Sequence, residues 1–411
     1  MINVKIKAGL LASFLYMVLI NNPLFAQVFK VGAVEMPPYQ MMKNGELRGS
    51  VIDLIDCALN LSYIQYEVDI NSRKRNIQLL EKGELDLIFG LEHDLDLNAF
   101  STHTMPIVLE KWIWLANQAV DVTDYNMLII VVSGSNQARW LKQQGYTNVQ
   151  EVNSLQEALN RFQEGGEETL LVDETRVTQL AQIMQLDLTG SHRTFNRFTT
   201  LFAYVSNQYL SNNRDFIAEL NENILECHPI GVVLDKHSHF VLLELSKQLL
   251  LLTQNTDVIS RLRRQNKFPL KMDAILYQDR EWRAQRKRQM YPMISRLIKN
   301  DLSKMLREFT QQNQGIFNEV FVVDQSGLIV ALSHISSDLW QGDEMKFSKV
   351  FNQEKRIFIC NIRFDESSGA FVSHISIAIK DPISGEDIGV FIFGVDVEAV
   401  LKADKIDLKI W

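Results

Sequence analysis

The chain has 411 residues, 46% apolar and 22% charged, with a formal charge of −8 from 42 Lys plus Arg against 50 Asp plus Glu. That length calls for at least two hydrophobic cores, and the ordinary composition excludes collagen-like, disordered and disulfide-dense classes. The acidic balance argues against a nucleic-acid partner, whose affinity comes mainly from neutralised phosphates.

The first 26 residues have the layout of a cleavable export signal. Lys5 and Lys7 form a positive start, Ala8 to Ile20 is an uncharged apolar run, and Asn21-Asn22-Pro23 breaks it ahead of Ala26. The run is short of the roughly 20 residues that span a bilayer. From Phe29 onward strand-like and helix-like segments alternate. Phe29–Val34 reads as a strand that stops at Pro37-Pro38, and Asn44-Gly45 as a turn. Ser50 is placed to cap a helix whose apolar positions are Val51, Leu54, Ile55, Ala58 and Leu59. Further strands are expected at Leu85–Gly90, Ile107–Leu115, Met127–Val132 and Thr169–Asp173. Helices are expected at Ala138–Gln144 and after the capping box Ser154–Glu157. This rhythm predicts parallel sheets flanked by helices.

The period changes after about residue 236. His239–Arg264 and Asp279–Gln312 are compatible with long helices, separated by Asn266–Lys271. Strands follow, among them the alternating Phe371–Lys380 and the buried Ile388–Val395. The expected class is α/β for the first unit and α+β for the second, with boundaries at 1–26, 27–236 and 238–411.

The stretches VGAVEMPPYQ (31–40), NGELRGSVIDLIDCAL (44–59), IQLLEKGELDLIFG (77–90), FSTHTMPIVLEKWIWLA (100–116), VVSGSNQARWL (131–141) and LLVDE (170–174) occur in order. With that spacing the first half resembles the family 3 type II periplasmic solute-binding proteins. The resemblance implies a two-lobed fold, lobe one at 28–115 plus 203–235 and lobe two at 116–202, closing on a small polar solute. It implies periplasmic residence and a membrane receptor or ABC permease as reader.

Ligand contacts are expected from Tyr39, Arg75, Trp112, Ser133, Ser135 and Asp173. Ser133-Gly134-Ser135 joins a strand to a helix and offers donors to an anionic group. Asp173 aligns with the family's acceptor for a ligand ammonium, and is also placed to cap the helix that follows. The family's carboxylate-binding Arg is missing from residues 90–100, where Glu92, Asp94 and Asp96 stand beside His93.

In the second half, FVVDQSGLIV (321–330), ALSHISSDLWQGDEMKFSKVF (331–351), FDESSG (364–369) and DIGVFIFGVDVEAVL (387–401) occur with the upstream DREWRA (279–284). They resemble the PDC/Cache extracytoplasmic sensor domains, which implies a long N-terminal helix beside a PAS-like antiparallel sheet. Trp340, Arg363 and Asp365 are its ligand candidates, against a plainer role in fixing a loop. Pairing of two copies through this domain's helices is a further expectation. The basic run Arg280, Arg283, Arg286, Lys287 and Arg288 reads as a solvated helix face or a contact to anionic lipid.

No GxSxG, HExxH, Walker A or GxGxxG motif is present, so neither catalytic residues nor a cofactor are expected. No CxxC or Cys/His spacing points to a metal either. Cys57 and Cys227 read either as a disulfide or as two buried thiols. The sequence favours reversible solute capture; an interaction accessory with a vestigial cleft is the rival.

Overall fold

The computed structural model describes residues 28–227, 234–288, 292–365, 370–403 and 406–410. The expected export signal and most of FDESSG lie outside the described residues. No described helix is long and apolar enough to cross a membrane.

Ten strands belong to the first unit: β1 (Phe29–Ala33), β2 (Met41–Lys43), β3 (Glu46–Arg48), β4 (Tyr66–Ile70), β5 (Leu87–Leu91), β6 (Ser101–Ala116), β7 (Ile129–Val132), β8 (Val149–Val152), β9 (Thr169–Asp173) and β10 (His192–Ser206). β2 and β3 form a small hairpin, and the other eight follow the order β4-β1-β5-β10-β6-β9-β7-β8. β1 runs parallel to β4 and β5, and β7 runs parallel to β8 and β9. The two sets meet through the antiparallel ribbon β6/β10, paired from Ser101 opposite Ser206 to Ala116 opposite His192. One lobe hangs on each end of this ribbon, so the ribbon is the hinge. Its register shifts at Phe195/Arg197, Leu201/Phe202 and Phe202/Tyr204, where an irregular ladder bends most easily.

β1 and β5 bury Val31, Ala33, Leu87 and Phe89 against the helices Ser50–Leu61 and Phe216–Cys227. Cys57 and Cys227 join these two helices in a disulfide, which settles the alternative the sequence leaves open. Lobe two has its own core of Ile113, Ile130, Leu159, Phe162, Leu170 and Val172. Gly49, not Ser50, holds the N-cap position of the first helix. β10 has no counterpart in the sequence reading, because Arg193, Asn196 and Arg197 interrupt its apolar pattern.

The second unit has a six-stranded antiparallel sheet of β11 (Phe317–Asp324), β12 (Ile329–Leu332), β13 (Ile357–Ile359), β14 (Arg363–Asp365), β15 (Ala370–Lys380) and β16 (Asp387–Asp396). Its order is β12-β11-β16-β15-β13, with β14 also on β15. One face packs Val320, Val322, Ile375, Phe391 and Phe393 on the helices Lys236–Leu249, Thr256–Asn266 and Asp301–Gln312. The other packs Phe321, Val323, Ala378 and Ile392 on Ile275 and Trp282 of Met272–Arg288 and on Ile294 of Pro292–Ile298. The expected long helices are therefore shorter pieces. Asn255 and Asn300 each accept first-turn amide bonds, and each opens a new helix inside a stretch whose apolar period runs on.

The second unit rests on the hinge. Leu109, Phe195 and Phe198 of the ribbon pack into its first core, and the Phe198 amide donates to Glu398. Lys111 on β6 reaches Asp235, the N-cap of Lys236–Leu249, at 2.8 Å.

Candidate functional site

In each lobe the parallel strands point their carboxyl ends at the other lobe, the usual location of ligand crevices in open α/β sheets. A cavity of about 120 Å³ lies there. Its wall comes from the residues after β1 (Val34, Glu35, Met36), the end of β5 (Gly90, Leu91), the turn after β7 (Ser133–Gln137) and Arg176 beyond β9. Arg73, Glu110 and Val132 at the end of β7 complete it. Gly134 sits at φ 68°, and a Cβ there would meet no atom within 4 Å, so its backbone lies bare at the cavity edge. The helix Asn136–Gln144 begins just past it, with first-turn amides that lack a preceding carbonyl partner.

The lobes are closed, held by contacts across the crevice. The Tyr39 hydroxyl donates to Asp173 at 2.9 Å, and Arg176 Nε donates to the Pro37 carbonyl at 3.1 Å. Arg139 Nη1 pairs with Asp94 at 2.7 Å, and Arg73 hydrogen-bonds Asn136. The acidic segment after β5 thus meets two arginines.

Glu110 stands at the middle of the hinge strand and is 1% exposed. Its Oε2 accepts from Trp112 Nε1 at 2.7 Å. Burial pushes this carboxyl up, and the negative charge of Asp173 adds to the shift. Asp173, 2% exposed, is raised by burial as well, against bonds from Arg176, Tyr39 and Lys111. Tyr39 is held far above the usual phenol range by burial and by these two carboxylates. Arg73 is lowered to about 10 by burial and by Arg139 nearby, so it stays charged at neutral pH. Polar capacity is left over: the amide of Gln40 and the Nε2 of Gln137 are buried and make no hydrogen bond. Gln137 lines the cavity, and Gln40 lies beside the lining Gly90, 3.1 Å from where a Cβ would stand.

Of the six candidates in this unit, Ser133 and Ser135 line the cavity. Ser135 Oγ also accepts from the Ala138 amide as an N-cap. Tyr39 and Asp173 lie directly behind the wall, joined to each other. Asp173 accepts from Tyr39, Arg176 and Lys111, combining the N-cap role with a bridge between lobes. Trp112 is wholly buried and positions Glu110. Arg75 is exposed, while Arg73 faces the crevice. Residues two apart on a helix point about 200° apart, so one side excludes the other. His93 is exposed with its ring edge on His103. The sequence offers Arg73 and Arg75 alike as a cation just before the Ile77 helix, and it passes over Glu110, Arg139, Gln137 and Arg176. A lone glutamate inside the apolar IVLEKWIWLA run was a usable signal, because a buried charge is kept only with a partner or a task.

A second cavity of about 460 Å³ lies in the other unit, lined by Glu344–Lys346, Phe358–Asn361, Arg363 and His374. His374 Nε2 pairs with Glu319 at 3.0 Å. Burial alone would raise Glu319, but His374 and then Lys346 outweigh it and hold the carboxyl low. Burial lifts the Cys360 thiol to about 11. Arg363 is on the wall as expected for a contact, whereas Trp340 donates to the Ser326 carbonyl at 2.8 Å and fastens a loop. Asp365 acts on the charge of Glu319 from β14.

No family model and no curated protein matches the chain. Among solved structures, a histidine kinase sensor domain with similarity to periplasmic binding proteins aligns at 15% identity and TM-score 0.43, over 49% of this chain and 91% of that one. The arginine-, lysine-, histidine-binding protein ArtJ from Geobacillus stearothermophilus aligns at 14% identity and TM-score 0.40, over 49% and 89%. The GluR0 ligand-binding core in complex with L-glutamate aligns at 20% identity and TM-score 0.42, over 49% and 92%.

Proposed function

We propose that the first unit is a periplasmic receptor that captures a small polar solute between its lobes and passes the closed shape on, without turnover. One observation carries this reading: the cavity lies where the carboxyl ends of both strand sets converge on a hinge, and its wall holds both charge signs. Arg73, the Ser133–Ser135 turn and the following helix start would hold an anionic group. Glu110, with Asp173 and Tyr39 behind it, would face a cationic one. Arg73 thereby takes over what the sequence reading assigned to Arg75. Closure is favoured to the extent that the solute binds the closed state better than the open one.

Lys111 gives closure a route outward. Its amide donates to Asp173 at 3.0 Å, and its ammonium pairs with Glu174 and Asp235 at 2.8 Å each. A change in the crevice therefore bears on the first helix of the appended domain. That domain, with its own cavity at Arg363 and His374, would act as sensor module and present the closed receptor to a membrane receptor or permease.

Isothermal titration of residues 27–411 against amino acids, polyamines and small organic acids tests the proposal. A bound solute whose heat vanishes in both Arg73→Ala and Glu110→Gln supports it; a solute bound equally well by both variants refutes the assignment. The small volume of the crevice favours a second reading, a vestigial cleft on an interaction protein, and absence of any titratable heat from the first unit would select it.

A further inference from the structure

Residues 267–273, where the helix Thr256–Asn266 turns into Met272–Arg288, are exposed without a break. Phe268 is 81% exposed, Leu270 37%, Met272 53%, Leu276 42% and Tyr277 60%. The second helix explains the last three: it turns Ile275 and Trp282 into the core and leaves Met272, Leu276 and Tyr277 outside. At about 100° per residue, Met272, Leu276, Arg280 and Tyr277 share one outer stripe roughly 140° wide. Arg264, Lys267, Lys271 and Arg280 rim the patch and are exposed. None of these four makes an ion pair among the described residues, and Asp273 is the one exposed acid between Lys267 and Arg280. A basic, apolar projection thus stands on a chain of net charge −8.

We propose that this turn and helix face dock the protein on an anionic lipid bilayer. Charge complementarity selects the occupant. A second copy would bring two like-charged rims together, whereas acidic headgroups neutralise them. Exposure agrees: Phe268 and Leu270 lie uncovered on the turn between two helices, so they suit insertion at the boundary of headgroups and acyl chains, with the long lysines reaching back to the phosphates. The net acidic remainder of the molecule is repelled by the same surface, which fixes the orientation to this face.

Flotation of residues 27–411 with phosphatidylcholine vesicles, with and without about one-third phosphatidylglycerol, tests this at low and high salt. Binding is expected on the anionic vesicles only, falling roughly tenfold in Lys267→Glu/Lys271→Glu and on raising salt. Phe268→Ser/Leu270→Ser is expected to lose a comparable factor, with an unchanged melting curve confirming the fold. Equal binding to neutral vesicles, no binding at all, or retention of binding by both double variants would overturn the proposal. So would light scattering showing that these variants dissociate a lipid-free dimer, which would assign the patch to a second copy.

Discussion

The two cavities differ in how they are made. The crevice of the first unit is a gap of about 120 Å³ between two lobes, with walls drawn from both of them. The chamber of the second unit is about 460 Å³ and is framed by β13, β15 and the short helix Met345–Ser348 over one sheet. On the proposed function, a gap between lobes would signal by changing shape, whereas a recess on a single sheet would hold a ligand with little movement. Cross-links are placed accordingly. The first unit ties two packed helices of lobe one by the Cys57–Cys227 bridge, whereas Cys360, in the chamber wall, is free.

The largest effect that separates the units should come from that bridge, which closes a loop of 170 residues. Cys57→Ala/Cys227→Ala is expected to destabilise the first unit by about 3–5 kcal/mol. Calorimetry should show its transition moving down while the second unit's stays close to its original temperature. Equal movement of both would mean that the units melt as one, and the contrast would be lost.

Next is the crevice latch. Arg139→Ala removes the bonds to Asp94 and Glu92, and with Arg73→Ala it deletes two of the bridges between lobes. The pair is expected to cost about 1–3 kcal/mol of closure and to enlarge the ligand-free radius of gyration in small-angle scattering. His374→Ala in the chamber should leave that radius unchanged. An unchanged radius in the first variant would show that Tyr39–Asp173 and Arg176–Pro37 hold the lobes by themselves.

Third is the buried acid at the hinge. Glu110 has a raised folded pKa, so its contribution to stability is present below its unfolded value and is lost as pH rises through the folded one. Ligand-free protein should lose stability between about pH 5 and 9, and Glu110→Gln should flatten that loss by roughly 2 kcal/mol. A cationic solute favours the ionised form, so its affinity for the parent protein should rise over the same window. Identical pH profiles for parent and variant would remove the acid from the account.

Four of the six parallel strands of the first unit were legible because they are largely apolar: FKVGA, LDLIFG, IIVV and TLLVD stand out, whereas the outer strands β4 (YEVDI) and β8 (VQEV), half exposed and charged, did not. The hinge partner β10 was not, since its first half, with Arg193, Asn196 and Arg197, lacks both alternation and apolarity, which leaves only the short buried run Leu201–Val205 as a signal. The same logic governs the site. Ser133 and Ser135 could be found from the strand–turn–helix pattern, a local feature. Arg73 could not be told from Arg75, because helix phase decides which one faces inward. Arg139 and Arg176 find their crevice partners across tens of residues of chain, which local pattern does not report.

The smallest effect belongs to the link between the two regions. Asp235 is partly exposed, and burial alone would raise its carboxyl, yet Lys111 and Ser238 together hold it at about 2. A depressed folded pKa contributes stability that is present above the unfolded value near 4 and disappears as pH falls toward 2. Lys111→Met should therefore lose, at neutral pH, about 0.5–1 kcal/mol, the small value expected for a solvent-screened pair. The parent and variant should converge in acid. If Lys111 also couples crevice to second unit, the variant retains solute affinity in titration, while solute-dependent changes in amide exchange along Lys236–Leu249 vanish. Retention of those changes would place the coupling in the apolar contact of Phe195 and Phe198 with the second unit's core, which Phe198→Ala then addresses.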